Sequence, residues 1–274
     1  MRDDGRRSIA LGVFAVALAT ATPAAALDFF ELEVYPATTE GKGLHEIETT
    51  NSFVANGRAS RFDEEDEPTR HRLLRSSLEY NYGLTDHIDV AAYVDVQRPN
   101  AADVEYAGMR FRARGALWDK GEYPVDLGWY FEAEVPHNTA SDLELEFKPL
   151  LSRDFGRFSL DLNPAFELPT VSEERRTLEF KYGARVYYRL SRNLLPGIEF
   201  YGDIGQIRAV DGSRDQEQYV FPVLYGNITR GLKFVAGPGF GLTRASDPVI
   251  LKLGVEYEFT LGGRGTAPST RPTY

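Results

Sequence analysis

Cysteine is missing from all 274 residues, and its absence excludes three things at once. There is no acceptor for a lipid anchor after export, no disulfide framework and no thiolate metal site. Histidine is almost as scarce, at four. His45 falls in a strand pattern, His87 in a tight turn, and His71 and His137 beside longer connections. A hydrolytic centre needs a base next to a nucleophile or a water-activating carboxylate, and no serine motif flanks either loop histidine. No catalytic residue, metal ligand or cofactor is therefore assigned. An excess of positive charge is absent too: 31 Lys and Arg stand against 41 Asp and Glu, a net of −10, which argues against nucleic acid as a partner.

No apolar run is long enough for a spanning helix. Ile9 to Ala19 is the hydrophobic stretch of the N-terminus, and it falls short of the roughly 20 residues such a helix needs. Arg2, Arg6 and Arg7 precede it, and Pro23 and the small residues Ala24, Ala25 and Ala26 follow. That order predicts an export signal over 1–26, cleaved before Leu27. The signal carries three arginines and two aspartates, so its removal leaves −11 on the rest.

What the remainder has in abundance is a period of two. Ile88, Val90, Ala92, Val94 and Val96 alternate with Asp89, Ala91, Tyr93, Asp95 and Gln97, which places the two sets on opposite faces of one strand. Val125 to Val135 and Leu178 to Arg189 repeat the pattern. The alternation predicts twelve strands, near 43–54, 71–82, 88–97, 105–117, 125–135, 143–151, 158–168, 177–190, 197–206, 217–227, 232–243 and 248–259. The number is even, the lengths suit tilted bilayer-spanning strands, and tight turns alternate with longer polar connections. The fold class is therefore all-β, a closed up-and-down antiparallel transmembrane barrel over 43–259. A periplasmic segment, 27–42, precedes it, and a disordered tail, 260–274, follows. The acidic run 63–67 sits in an outer loop. Outer-membrane lipid is the first partner this implies, and the bacterial outer membrane the location.

If the apolar sets face lipid, the lumen receives Arg110, Arg112 and Arg114 from one strand. Asp89 and Asp95 flank them on one side, and Asp126, Tyr130, Glu132 and Glu134 on the other. Farther round, Lys181, Arg185 and Arg189 stand near Asp161, Glu167, Glu199 and Asp203. Opposed ladders of this kind set up a transverse field that tunes passage of charged or dipolar solutes. Tyr93, Tyr130, Tyr187 and Tyr201 add stacking surfaces. The expectation is a channel or transporter for small solutes, aromatic or anionic. Three alternatives stay open: a closed structural barrel whose charges pair and fill it, a barrel with a lipid or peptide hydrolase site at its rim, and a soluble periplasmic β-protein with its apolar faces turned inward.

Five segments carry a family resemblance. Tyr82-Gly-Leu-Thr-Asp, Tyr188-Arg-Leu-Ser-Arg and Tyr225-Gly-Asn-Ile-Thr-Arg each put a tyrosine before a Ser or Thr turn, a pattern suited to a membrane interface. Glu31-Leu-Glu-Val-Tyr-Pro36 precedes the barrel. Leu253, Val255, Tyr257 and Phe259 end the last strand on one face, similar to the C-terminal signal read by the outer-membrane assembly machinery. Together these resemble a family of outer-membrane transporters first described beside phenol-degradation pathways, which implies the same barrel and a small-solute cargo.

Overall fold

The computed structural model describes residues 32–57, 70–100, 102–137, 143–169, 177–210 and 212–261. The expected export signal, the acidic run 63–67 and all but the first two residues of the tail lie outside the described residues.

The twelve expected strands are present: β1 Leu44–Asn56, β2 Leu74–Thr85, β3 Ile88–Arg98, β4 Glu105–Ala116, β5 Asp126–Pro136, β6 Glu144–Phe155, β7 Phe158–Pro169, β8 Glu179–Tyr188, β9 Leu194–Gln206, β10 Glu217–Thr229, β11 Leu232–Gly241 and β12 Val249–Thr260. Each pairs antiparallel with its sequence neighbours, and β1 with β12 closes the barrel. Closure gives every edge a partner, so backbone groups are satisfied within the wall as a lipid environment demands. The short turns lie at the end that carries both Leu44 and Thr260, which face each other across the closing seam.

Alternation decides which residues face out. Leu78, Val94, Phe111, Phe131, Phe147, Ile198, Leu251 and Leu253 are all exposed, whereas their neighbours along the strands are buried. A soluble protein would turn such residues inward. Val94 is 42% exposed and Phe131 44%, which removes the soluble β-protein with a buried apolar core. Aromatics gather on the outer surface beside the seam. His45 lies 4.9 Å from Tyr82 and 5.4 Å from Phe259, and Tyr257 lies 5.8 Å from Phe259.

Two expectations are corrected here. Tyr225 does not join Tyr82 and Tyr188 on the outer surface. It is fully buried on the inner face. Its turn motif holds one residue more between tyrosine and threonine than the Tyr82 motif, and β10 carries a register shift between Asn227 and Thr229. With a side-chain period of two, one extra residue reverses the face. The segment before β1 does not stay outside the barrel either. Leu32, Glu33, Val34, Tyr35, Ala37 and Glu40 are buried, and their partners are inward-facing residues of the wall.

Candidate functional site

Among the described residues the lumen is where the fold concentrates polar chemistry, and its wall has two distinct sides. On the first, β4 sends Arg110, Arg112 and Arg114 inward, all almost fully buried. Arg110 Nε donates to Asp95 Oδ2 at 2.9 Å, and its Nη1 lies 3.5 Å from Glu132. Arg112 Nη2 donates to Glu79 Oε1 at 2.6 Å and stands 3.5 Å from Asp89. Arg114 Nη2 donates to Asp89 Oδ2 at 2.7 Å. Arg110 thus bridges carboxylates on the strands to either side, β3 and β5, whereas Arg112 and Arg114 both turn toward β3 and what lies beyond it. The rings fit between the charges: the Arg110 guanidinium sits 4.4 Å over Tyr93, and Lys148 Nζ sits 4.4 Å over Tyr130. A buried charge is tolerable when it is paired and hydrogen-bonded in this way, and costly otherwise.

On the second side, chiefly on β9 and β10, aromatic and aliphatic side chains line the inner wall between charged ones. Tyr187, Tyr201, Tyr219, Phe221, Val223, Tyr225, Val235, Ile250 and Val54 form one packed cluster. Tyr201 and Phe221 meet edge to face at 5.4 Å. One buried ionic knot interrupts this cluster. Glu199 accepts from Lys252 Nζ at 2.9 Å, from Tyr201 at 2.9 Å and from Tyr225.

Between the two sides runs the N-terminal segment, Leu32 to Lys42. Leu32 and Val34 join the aromatic cluster, while Tyr35 and Ala37 pack with Tyr130 and Leu150. The wall supplies hydrogen bonds to the segment's backbone. Tyr35 N donates to Asn163 Oδ1 at 2.6 Å, and Asn163 Nδ2 returns a bond to Tyr35 O at 2.9 Å. Ala37 N donates to Ser152 Oγ at 2.8 Å, and Glu40 N to Asp89 Oδ2 at 2.9 Å. The wall also makes room. A Cβ on Gly83 would lie 2.0 Å from the Gly41 carbonyl oxygen, and one on Gly183 would lie 3.3 Å from Val34 Cγ2. The segment therefore occupies the lumen as a docked element, with its peptide groups satisfied as buried backbone requires.

The sequence-chosen residues distribute as follows. Asp89, Asp95, Arg110, Arg112, Arg114, Tyr130 and Glu132 form the connected ionic side. Lys181 pairs with Glu167 at 2.5 Å, and Arg185 with Asp161 at 2.7 Å, both buried on the inner face. Asp126 and Asp203 are buried but serve local backbone, accepting from Gly121 N at 2.6 Å and Gly205 N at 2.7 Å. Glu134 is half-buried toward the far rim of β5. Arg189 departs from the expectation: it lies past the end of β8, partly exposed, and bonds Asp154 at 2.6 Å. The strand ends at Tyr188, one residue before Arg189 would have faced inward.

Several residues of the site were not named in advance. Glu79 and Glu33 are inward carboxylates, and Glu33 accepts from Tyr35 and Thr50. At the opposite end from Leu44 and Thr260, Arg70 is buried against Glu217 at 2.5 Å and Asp247 at 3.6 Å. Burial disfavours its charge, but the two carboxylates outweigh that and hold the guanidinium protonated above its ordinary range.

No family model and no curated protein matches this chain. Solved structures do match in fold. The chain is similar to an outer membrane channel from Pseudomonas putida F1, with a TM-score of 0.59 at 14% identity over 83% of this chain and 100% of that one. It is also similar to the KdgM porin, with a TM-score of 0.54 at 11% identity over 78% of this chain and 99% of that one. The same porin in complex with disordered oligogalacturonate gives 0.53 at 12% identity, over 78% of this chain and 99% of that one. The architecture described above is thus the closed barrel of outer-membrane porins and channels.

Proposed function

We propose that this chain is a channel or transporter of the outer membrane of a Gram-negative bacterium, passing small aromatic or anionic solutes, with its own N-terminal segment filling the lumen in the present conformation. The observation that carries the reading is the division of the inner wall. An arginine ladder can bind anionic groups, an aromatic row can bind rings, and the segment between them is held by non-covalent contacts alone. The apolar outer belt supports a lipid surround. One of the fold neighbours is a porin crystallised with oligogalacturonate, and the sequence resemblance to transporters found beside phenol-degradation pathways points to aromatic cargo. The closing strand ending at Phe259 serves as the segment read by the assembly machinery. With the three arginines already bonded to carboxylates, an anionic solute must compete for them, which suits selective passage better than bulk flow.

Planar-bilayer recording tests this. Full-length protein should conduct weakly, and a variant lacking residues 27–39 should conduct several-fold more. Within that shortened variant, replacing Arg110, Arg112 and Arg114 by glutamine should shift selectivity toward cations while heat-modifiable gel migration still reports a folded barrel. If neither the full-length nor the shortened protein conducts or passes solute, the lumen is a filled structural core and the transporter reading fails.

A further inference from the structure

At the end of the lumen that carries Leu44 and Thr260, carboxylates outnumber the cations that could neutralise them. Glu40 comes from the docked segment, Glu46 from β1 and Glu258 from β12, and each is at most 3% exposed. Glu46 and Glu258 are cross-strand partners on the closing seam. One oxygen from each of the three lies within 4.8 Å of the other two. Glu256, fully buried, lies on the same inward face of β12 as Glu258. The cations within reach are Lys233, which bonds Glu256 at 2.5 Å and also Glu258, and Arg114. Arg114 comes within 3.9 Å of Glu40, yet its short bond, 2.7 Å, goes to Asp89. Four carboxylates thus share one lysine and the far edge of an arginine.

A second observation is independent of the charge. Among the described residues, Glu46 Oε2, Glu256 Oε2 and Asn81 Oδ1 find no hydrogen-bond donor. Asn81 is fully buried, sits opposite Glu46 on β2, and directs its Nδ2 at Glu46 Oε1 at 3.4 Å. All three orphans are acceptors. A buried oxygen without a donor costs about 1–3 kcal/mol, and a cation satisfies several such oxygens together. The other carboxylate triad of the lumen, Glu33, Glu48 and Glu79, lacks this signature, because Arg112, Thr50 and Tyr35 already supply it with donors.

We propose that Glu40, Glu46 and Glu258 hold a Ca2+ ion inside the lumen, with Asn81 and Glu256 close enough to complete the shell. The donor set is all oxygen, as a hard cation requires. Ca2+ takes six to eight oxygens in flexible geometry, whereas Mg2+ demands a near-ideal octahedron, and carboxylates gathered from three pieces of chain suit the first. The ion joins three pieces of the chain: the lumenal segment, the first strand and the last. It is a clasp that fixes the segment to the seam.

This inference rests on the local geometry and holds whether or not the barrel conducts. Purified full-length barrel in detergent, stripped with EDTA and checked for folding by heat-modifiable migration, should bind about one Ca2+ per chain by calorimetry. Its unfolding temperature should rise with Ca2+, and proteolysis within residues 27–42 should slow. Glu46→Gln should weaken Ca2+ binding at least tenfold. Glu40→Gln should do the same, and it lies outside every strand, so it reports on the site even if the β1 variant folds poorly. Absence of Ca2+ heat and of any thermal shift in the folded wild-type protein overturns the proposal. So does wild-type Ca2+ affinity in Glu40→Gln.

Discussion

On β3 to β5 the lumen wall is held together by ions, and on β8 to β10 by rings. The ionic side spreads each charge over several partners: Arg110 touches Asp95, Ser77 and Glu132, and Arg112 touches Glu79 and Asp89. The aromatic side relies more on area and shape, through Phe221, Val223 and Val235, and gathers its shared charge at Glu199. The difference teaches where the wall tolerates change. A packed apolar wall absorbs a similar-sized replacement, whereas a charge network fails at every partner of the group removed.

The largest expected effect comes from breaking the ionic side. Arg112→Leu keeps most of the bulk but leaves Glu79 without its bonded cation and Asp89 with Arg114 alone. We expect a loss of about 3–5 kcal/mol, read as a lower urea midpoint in detergent. Next comes the same kind of charge on the opposite face. Leu253→Arg points outward into the apolar belt, where Leu253 is 47% exposed and no carboxylate partner is at hand. A cost of about 2–4 kcal/mol near the membrane midplane is expected, with less folded barrel in the outer-membrane fraction. If Leu253→Arg proves neutral, the outer belt is not lipid-facing there. The smallest effect is Phe221→Leu on the aromatic side, expected below about 1.5 kcal/mol. Should it match Arg112→Leu, the two sides are not mechanically different and the comparison collapses.

The legibility of the sequence follows the same division. Strand number, closure and the ionic side were readable because on β3 to β5 polar and apolar residues alternate without interruption, so one face declares itself. On β10 the inward residues Tyr219, Phe221 and Val223 and the outward residues Val220, Pro222 and Leu224 are apolar alike. A period of two carries no contrast there, and the aromatic side went largely unnamed. Tyr225 was placed by its motif and turned to the wrong face by one inserted residue. The lumenal segment was hidden for another reason. Leu32 and Val34 alternate with Glu33 and Tyr35, but the run is too short to count as a strand, and its partners Ser152 and Asn163 lie far along the chain. The Glu40, Glu46 and Glu258 cluster shares that obscurity, since only ring closure brings 46 and 258 together.

Ring closure also sets the order of assembly. Eleven of the strand pairings join neighbours across a turn or loop, while the twelfth joins Leu44 to Thr260 at the two ends of the barrel. Loop-closure entropy therefore weighs on that seam far more than on any hairpin, although it grows only as the logarithm of the intervening length. The segment threaded through the lumen leaves the wall beside Leu44, at this same seam. A chain permuted to begin at another tight turn could rebuild every hairpin, yet it would move the start of the chain away from the place where the segment passes inside. The position of the chain ends is thus a constraint on how the lumen is filled, and it acts before any solute arrives.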